Sequence, residues 1–336
     1  MWVKIAYAAA VVAVGLSVVS CNHPVRQMVP DSDYHRSAPS WAFEIAYTAK
    51  IEGIPAGARQ LRLWIPVPQN SPVQKIWSVS FDREVGFHTE PKYGNRIAYV
   101  ELSNPPSSLN VTMKFKCRRS EQKVDLEKLS GEGADAPDAL DPFLGEERYV
   151  PISDRIRRIA DEVTQGKTTV LDKARAIYDY VVAKMTYDKK APGWGKGDSE
   201  RACDVGMGNC TDFHALFNAL CRAEGIASGF EIGLYLPYEK REGEPVGGYH
   251  CWAAFRVPGK TWVPVDASEA SRLGGDKKDY FFGNHTPNRV TLSTGRDIPL
   301  VPKPSGESLN YFLNPHCEVD GKEHSAAKDW SYRFID

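Results

Sequence analysis

The 336 residues hold no excess of charge of one sign: 42 Lys and Arg stand against 43 Asp and Glu, a formal net charge of −1. A chain so balanced has no basic footprint for a polyphosphate and no polyacidic tail, which sets nucleic acid aside as a partner. Internal repeats and low-complexity tracts are missing too. The hydrophobic share of 42% and the charged share of 25% exclude collagen-like, disordered and coiled-coil readings and fit an ordinary soluble globular chain. At roughly 150 residues per domain the length suggests two domains, each able to bury a core. After the first two dozen residues no run is long and apolar enough to cross a membrane.

Those first residues read MWVKIAYAAAVVAVGLSVVSC. Lys4 gives a positive start, and Ile5 to Val19 is an almost wholly apolar run, short of the about 20 residues a spanning helix needs but suited to a signal peptide. The sequence Val18-Val19-Ser20-Cys21 resembles a bacterial lipobox, which implies cleavage before Cys21 and lipidation of that cysteine. An unlipidated signal peptide and an uncleaved anchor are the alternatives. The expectation is an exported lipoprotein, tethered by its lipid to a membrane and facing the periplasm or the cell surface. Seven cysteines, at 21, 117, 203, 210, 221, 251 and 317, suit a compartment that permits disulfides, but spacing does not say which pair.

Residues 1–20 are thus expected as the signal peptide and 21–40, rich in Pro, Ser and charge, as a lipidated, flexible tether. From Trp41 the texture changes to short β-branched and aromatic runs: WAFEIAYTAKI, RQLRLWIPV, KIWSVSF, RIAYVEL and LNVTMKFKC. In the second, Leu61, Leu63 and Ile65 alternate with Arg62 and Trp64. Strands at this spacing, broken by Pro, Gly and Asn, predict a β-sandwich over 41–118. Residues 119–148 are polar, Gly-containing and mostly acidic, and read as a linker. Residues 149–336 would form the second domain with a C-terminal β extension. It opens with a helix capped by Ser153 or Asp154 and another over about Thr169 to Tyr187. The Gly-rich stretch GWGKGD at 193–198 lacks the strand–turn–helix context of a phosphate cradle and reads as a flexible surface loop.

The most informative segment is GNCTDFHALFNALCRAEGI at 208–226. Thr211 or Asp212 favours a helix start, Phe213, Leu216, Phe217 and Leu220 form an apolar stripe, and Gly225 supplies the stop. Cys210 therefore lies at a helix N-terminus, where unpaired N–H groups and the helix dipole favour a thiolate and can hold an oxyanion. A thiol nucleophile needs a base, and the base an orienting group. Downstream, YHCWAAFRVPGKTWVPVDASEA at 249–270 reads as two strands, with His250 opening the first and Asp266 closing the second. A two-residue Pro258-Gly259 turn would pair Val257 with Lys260 and point Asp266 away from His250, so the chemistry requires a bulge or a longer turn.

Other groupings are weaker. Cys203, Cys210, His214 and Cys221 suggest zinc by residue type but match no compact finger spacing. His214, one turn after Cys210, is a rival base or ligand whose simpler role is packing. Cys203 and Cys251 suit packed thiols or a disulfide, and Trp252, Trp262, Phe213 and Phe217 suit the core. Asp198, Asp204 and Glu231 form no pair of known separation, so a two-carboxylate glycosidase has little behind it. Asn209 and Tyr187 suit local hydrogen bonding better than oxyanion binding.

Gly208-Asn209-Cys210-Thr211-Asp212, Tyr249-His250-Cys251-Trp252 and Val265-Asp266 together resemble the Cys-His-Asp core of the transglutaminase-like superfamily. The pieces YFFGN at 280–284, NRVTLSTGRD at 288–297 and NYFLNP at 310–315 are similar to its bacterial members. The resemblance implies an α+β fold, a papain-like core of helices on an antiparallel sheet preceded by the β-sandwich. It also implies a thioester at Cys210, His250 as base and acid, Asp266 as its orienter, and neither cofactor nor metal. The expected activity is cleavage or transfer of acyl groups at peptide or amide bonds of an envelope substrate, with hydrolysis the simpler outcome. The rival is a non-catalytic envelope binding or assembly lipoprotein on the same scaffold.

Overall fold

The computed structural model describes residues 28, 39–129, 141–237, 248–259 and 261–335. The expected signal peptide, Cys21 and most of the expected tether lie outside them. The alternating segments form strands: β1 (Ser40–Ile51), β2 (Gln60–Val67), β3 (Gln74–Phe81), β4 (Gly86–Thr89), β5 (Arg96–Ser103) and β6 (Leu109–Ser120). In β6 every second residue is buried, from Leu109 through Cys117 to Arg119, the period-2 signature of a strand with one face on a core.

A short β7 (Gln122–Lys123) follows, then helices α1 (Asp154–Val163) and α2 (Val170–Lys184). The side chains of Ser153 and Thr169 accept from Ile156 N and Asp172 N to cap them. The second helix stops three residues short of the expected Tyr187, because Thr186 and Tyr187 form strand β8, which pairs with β9 (Met207–Gly208) beyond α3 (Ser199–Val205). Then come α4 (Cys210–Ala223), β10 (Ser228–Tyr235), β11 (His250–Val257), β12 (Thr261–Val265), α5 (Ala267–Leu273), α6 (Lys277–Tyr280), β13 (Asn284–His285) and β14 (Arg289–Thr294). The chain ends with β15 (His316–Val319), β16 (Lys322–His324) and β17 (Ala327–Ile335).

The mixed fold is α+β. One antiparallel sheet, ordered β12-β11-β10-β14, carries the helices, with α4 at the centre of a core that includes Phe213, Leu216, Phe217, Phe255 and Val265. Two further sheets, β17-β1-β6-β3 and β16-β15-β2-β5-β4, face each other across Phe43, Tyr47, Leu63, Phe115 and Trp330 and make the sandwich.

Two boundaries fall elsewhere than the sequence led us to expect. The C-terminal segment does not extend the second domain: β15 pairs with β2 and β17 with β1 along most of its length, so the chain returns to complete the sandwich. The expected linker is built in at both ends. Its start continues β6 and pairs β7 with β13, while Phe143 and Glu147 near its end are buried. Met28, inside the expected tether, is buried beside Phe143 and Tyr93. The two bodies are bolted along β14. Gln74 of the sandwich exchanges bonds with Thr291 N and O (2.9 and 3.0 Å), and Asn95 does the same with Thr294 (2.8 Å each). Among the described residues no helix is long and apolar enough to cross a membrane.

Candidate active site

The site is built from the start of α4. Asn209, rather than Thr211 or Asp212, is the cap: its side chain accepts from Thr211 N at 3.0 Å, while the Asp212 carboxylate returns to Asn209 N at 3.0 Å. This reciprocal box makes Cys210 the first helical residue. Gly208 is required because any side chain there would collide with Asp212. The helix is buried from Cys210 to Arg222, so its apolar stripe anchors the thiol in the core of the domain.

The glycine loop at 193–198 is a fixed wall of this site, contrary to the flexible loop expected. Gly195 N and Gly197 N donate to Asp212 at 2.8 and 3.2 Å, and Arg296, fully buried, donates to the carbonyls of Lys196 and Gly197 at 2.7 Å each. Tyr311 and Asn310 add bonds to the Gly195 and Lys196 carbonyls. Gly197 has φ +65° and faces the Thr211 methyl at a distance that leaves no room for a Cβ. The glycines supply left-handed backbone and close approach, not mobility.

The register of β11 and β12 resolves in favour of the longer turn. Val257 stands opposite Thr261 and Ala253 opposite Val265, so the connection counts three residues, 258–260. Continued to the strand ends, that register sets His250 and Asp266 on one face. Asp266 then caps α5, its Oδ1 accepting Glu269 N (3.0 Å) and Ser268 Oγ (2.9 Å). Its Oδ2 accepts His250 Nε2 at 2.6 Å. This leaves the other ring nitrogen of His250 for the sulfur of Cys210, whose proton affinity the ring lowers. Cys210, His250 and Asp266 are brought together, at 1%, 5% and 0% exposure.

The electrostatics separate their proton affinities. Burial alone would raise the Cys210 thiol, but hydrogen bonds from Cys251 and His250 and the imidazolium charge bring it well below its ordinary range. Burial opposes a charged His250, yet the Asp266 carboxylate and the Cys210 sulfur outweigh it and hold the ring up at about 10. Against its own burial, Asp266 is held far down by His250 and by Arg289, which donates from Nη1 to Oδ2 at 2.9 Å. The arrangement favours thiolate and imidazolium at neutral pH.

His214 is near but differs in kind. Its Nε2 lies 3.6 Å from Asp266 Oδ1 and its Nδ1 3.6 Å from Cys251 Sγ, and burial pushes it down to about 4, so it packs as a neutral ring. The six described cysteines are all free and buried, which settles Cys203 and Cys251 as packed thiols. Among the described residues no three His, Cys, Asp or Glu side chains form a group that could hold a metal. Asp198 caps α3, Asp204 meets Arg155 at the surface, and Glu231 accepts Trp252 Nε1 at 2.6 Å, three unrelated tasks. Asn209 donates to Tyr249 Oη at 2.8 Å besides capping α4. Arg289 was not singled out from the sequence. It stands 23 residues beyond Asp266, and its one signal is its place in the NRVTLSTGRD stretch.

Residues 157–267, the span that contains all three of these side chains, match the model of the transglutaminase-like superfamily. Over those residues the chain is similar to a transglutaminase-like core. A protein of Haemophilus influenzae (strain ATCC 51907 / DSM 11121 / KW20 / Rd), itself uncharacterized, is 26% identical over 347 residues, covering 90% of this chain and 92% of its own. A crystal structure of a candidate cysteine protease from Cytophaga hutchinsonii superposes with a TM-score of 0.63 at 16% identity, covering 90% of this chain and 93% of that one. Since that likeness spans both bodies, the helix-bearing body and the sandwich recur there as one fold.

Proposed function

We propose that the protein is a thiol enzyme that cleaves or transfers acyl groups at peptide or amide bonds. The reading is carried by one observation: a cysteine on the first residue of a buried helix whose proton affinity is lowered by an imidazole, with Nε2 of that imidazole 2.6 Å from a buried carboxylate. The Cys210 thiolate attacks the carbonyl carbon. The oxyanion forms at the start of α4, where Thr211 N and Asp212 N are already taken by Asn209 and the Cys210 N–H is the donor left over. His250 gives its proton to the departing amine as the C–N bond breaks, leaving a thioester. The neutral ring then takes a proton from water, which attacks the thioester and frees the acid and Cys210. We favour hydrolysis over cross-linking because this step needs nothing beyond water and His250. An amine in place of water would give transfer by the same steps.

The proposal extends to the cell envelope: export by residues 1–20, lipid on Cys21 as the membrane anchor, and a peptide or protein substrate there. The motif at 18–21 supports it.

The test is covalent labelling with a thiol-reactive amide mimic, a peptidyl chloromethyl ketone. Cys210→Ala is expected to fold, by circular dichroism and thermal melting, and to lose the label at the peptide spanning 209–222. Equal labelling of both proteins, with none at Cys210 in the wild type, refutes the reading and leaves the non-catalytic binding or assembly lipoprotein in its place.

A further inference from the structure

Asp266 does not serve His250 alone. The oxygen that accepts His250 Nε2 also accepts Arg289 Nη1, at 2.6 and 2.9 Å. Arg289 is wholly buried, its Nη2 donates to Thr286 Oγ1 at 3.0 Å, and its guanidinium carbon lies 5.2 Å from the centre of the Trp252 ring. It opens β14, the strand bolted to the sandwich through Thr291 and Thr294. The other carboxylate oxygen already takes Ser268 Oγ and Glu269 N, so the orientation of Asp266 is fixed without Arg289. What Arg289 adds is charge.

The groups facing His250 come from every element packed on it. They are Cys210 and His214 from α4, Tyr235 from β10 at 5.7 Å between ring centres, Asp266 at the start of α5, and Arg289 through Asp266. Of these, only Arg289 carries a permanent positive charge.

We infer that Arg289 is a positioning residue acting through Asp266: by drawing on the same carboxylate oxygen, it loosens the hold of that carboxylate on the His250 proton. The inference rests on the acyl-transfer reading and deepens it. An imidazolium clamped by an unshared buried carboxylate is a poor acid. Shared with Arg289, the carboxylate still orients the ring. The proton on the ring nitrogen facing Cys210 then passes to the amine nitrogen as that nitrogen takes the electron pair of the breaking C–N bond, leaving a neutral imidazole.

The experiment is the rate of Cys210 alkylation by iodoacetamide, in brief pulses from pH 4 to 11.5 on the full chain, read by peptide mass spectrometry. The wild type is expected to show two steps, ionisation of the thiol at acid pH and, at alkaline pH, loss of the His250 proton. In Arg289→Met the alkaline step moves up by about one pH unit, a displacement that a merely structural role would not produce. Arg289→Lys keeps the charge and returns the step toward the wild-type position. Thr286→Val, which frees one end of the guanidinium, moves it the same way by less, and decides the matter if the methionine variant does not fold. A wild type with two steps whose alkaline step stays in place in the Met and Val variants, only the overall rate changing, overturns the role of Arg289 alone. A wild type that titrates as one ordinary thiol near pH 8.5 overturns the acyl-transfer reading and this inference together.

Discussion

Two buried aspartates stand at the starts of two helices in this molecule, and they do opposite things. Asp212, in the first turn of α4, accepts three backbone N–H groups, from Gly195, Gly197 and Asn209, and its nearest cation, Arg201, is 4.0 Å away. Burial leaves its proton affinity above the ordinary carboxylate range. Asp266, capping α5, accepts one backbone N–H and a hydroxyl but also two cations, His250 and Arg289, and it is held far below that range. Residue type and burial are the same, and both stand at a helix start, Asp212 as the third residue of α4 and Asp266 as the cap of α5, so partner charge decides the outcome. Backbone donors make Asp212 a rivet that fastens the glycine loop to the start of α4. Cationic donors make Asp266 an electrostatic element that sets the proton on His250.

The contrast breaks most visibly at Asp266. Asp266→Asn replaces a carboxylate that holds the imidazolium by a neutral amide, so His250 no longer sustains a thiolate–imidazolium pair. The expected loss in Cys210 labelling rate at pH 7, counted per folded molecule, is on the order of 10³-fold, in line with removing the orienting acid from a nucleophile–base pair. Stability falls as well, because Arg289 is left buried without its anion. A labelling rate within tenfold of wild type, measured by stopped-time mass spectrometry, would show that His250 needs no carboxylate.

Asp212→Asn sharpens the other side. An amide supplies one acceptor oxygen where three N–H groups converge and turns its own donors toward them, which costs about 3 kcal/mol. The midpoint of urea unfolding should drop accordingly, and the loop at 193–198 should lose protection in amide exchange. Labelling of Cys210 per folded molecule should fall less than tenfold. A loss comparable to that in Asp266→Asn would mean that the rivet and the electrostatic element are not separate.

How much of this was legible beforehand follows the same division. Cys210, His250 and Asp266 could be read because each sits at a recognisable local event: a capped apolar helix, a strand start, a strand end before a helix. Even the register conflict was readable, since side-chain alternation makes a two-residue turn incompatible with the chemistry, and the three-residue connection is the resolution. The pinned loop was not. Three glycines in six residues look mobile, and only the fold shows that Arg296, about 100 residues on, and Asp212 take up its backbone groups. Arg289 was hidden for a like reason, its partner being an ion across the sheet rather than a neighbour in sequence. The return of β15 and β17 to the sandwich was hidden because alternation identifies a strand but not which sheet it joins.

His214 lies between the two aspartates, on the helix that holds Asp212 in its first turn and 3.6 Å from Asp266 Oδ1, and offers the finest probe of their difference. Its ring is fully buried, and burial depresses its proton affinity to about 4, with Asp266 only partly offsetting that cost. The sign follows from linkage. An unfolded histidine takes up a proton near pH 6.5 while the folded one refuses it until about pH 4, so acid drives the equilibrium toward the unfolded chain across that interval. Stability should therefore decline between pH 6.5 and 4.5 by about 2 kcal/mol through this residue, a window above the ordinary aspartate range in which Asp266, still mostly ionised even in the unfolded chain, contributes little change. His214→Gln removes the titrating group and should flatten that part of the profile of urea midpoint against pH, while leaving the loss below pH 4 that belongs to Asp266. A profile just as steep in the variant would place the acid sensitivity elsewhere, with His285, also buried and depressed, the next ring to replace.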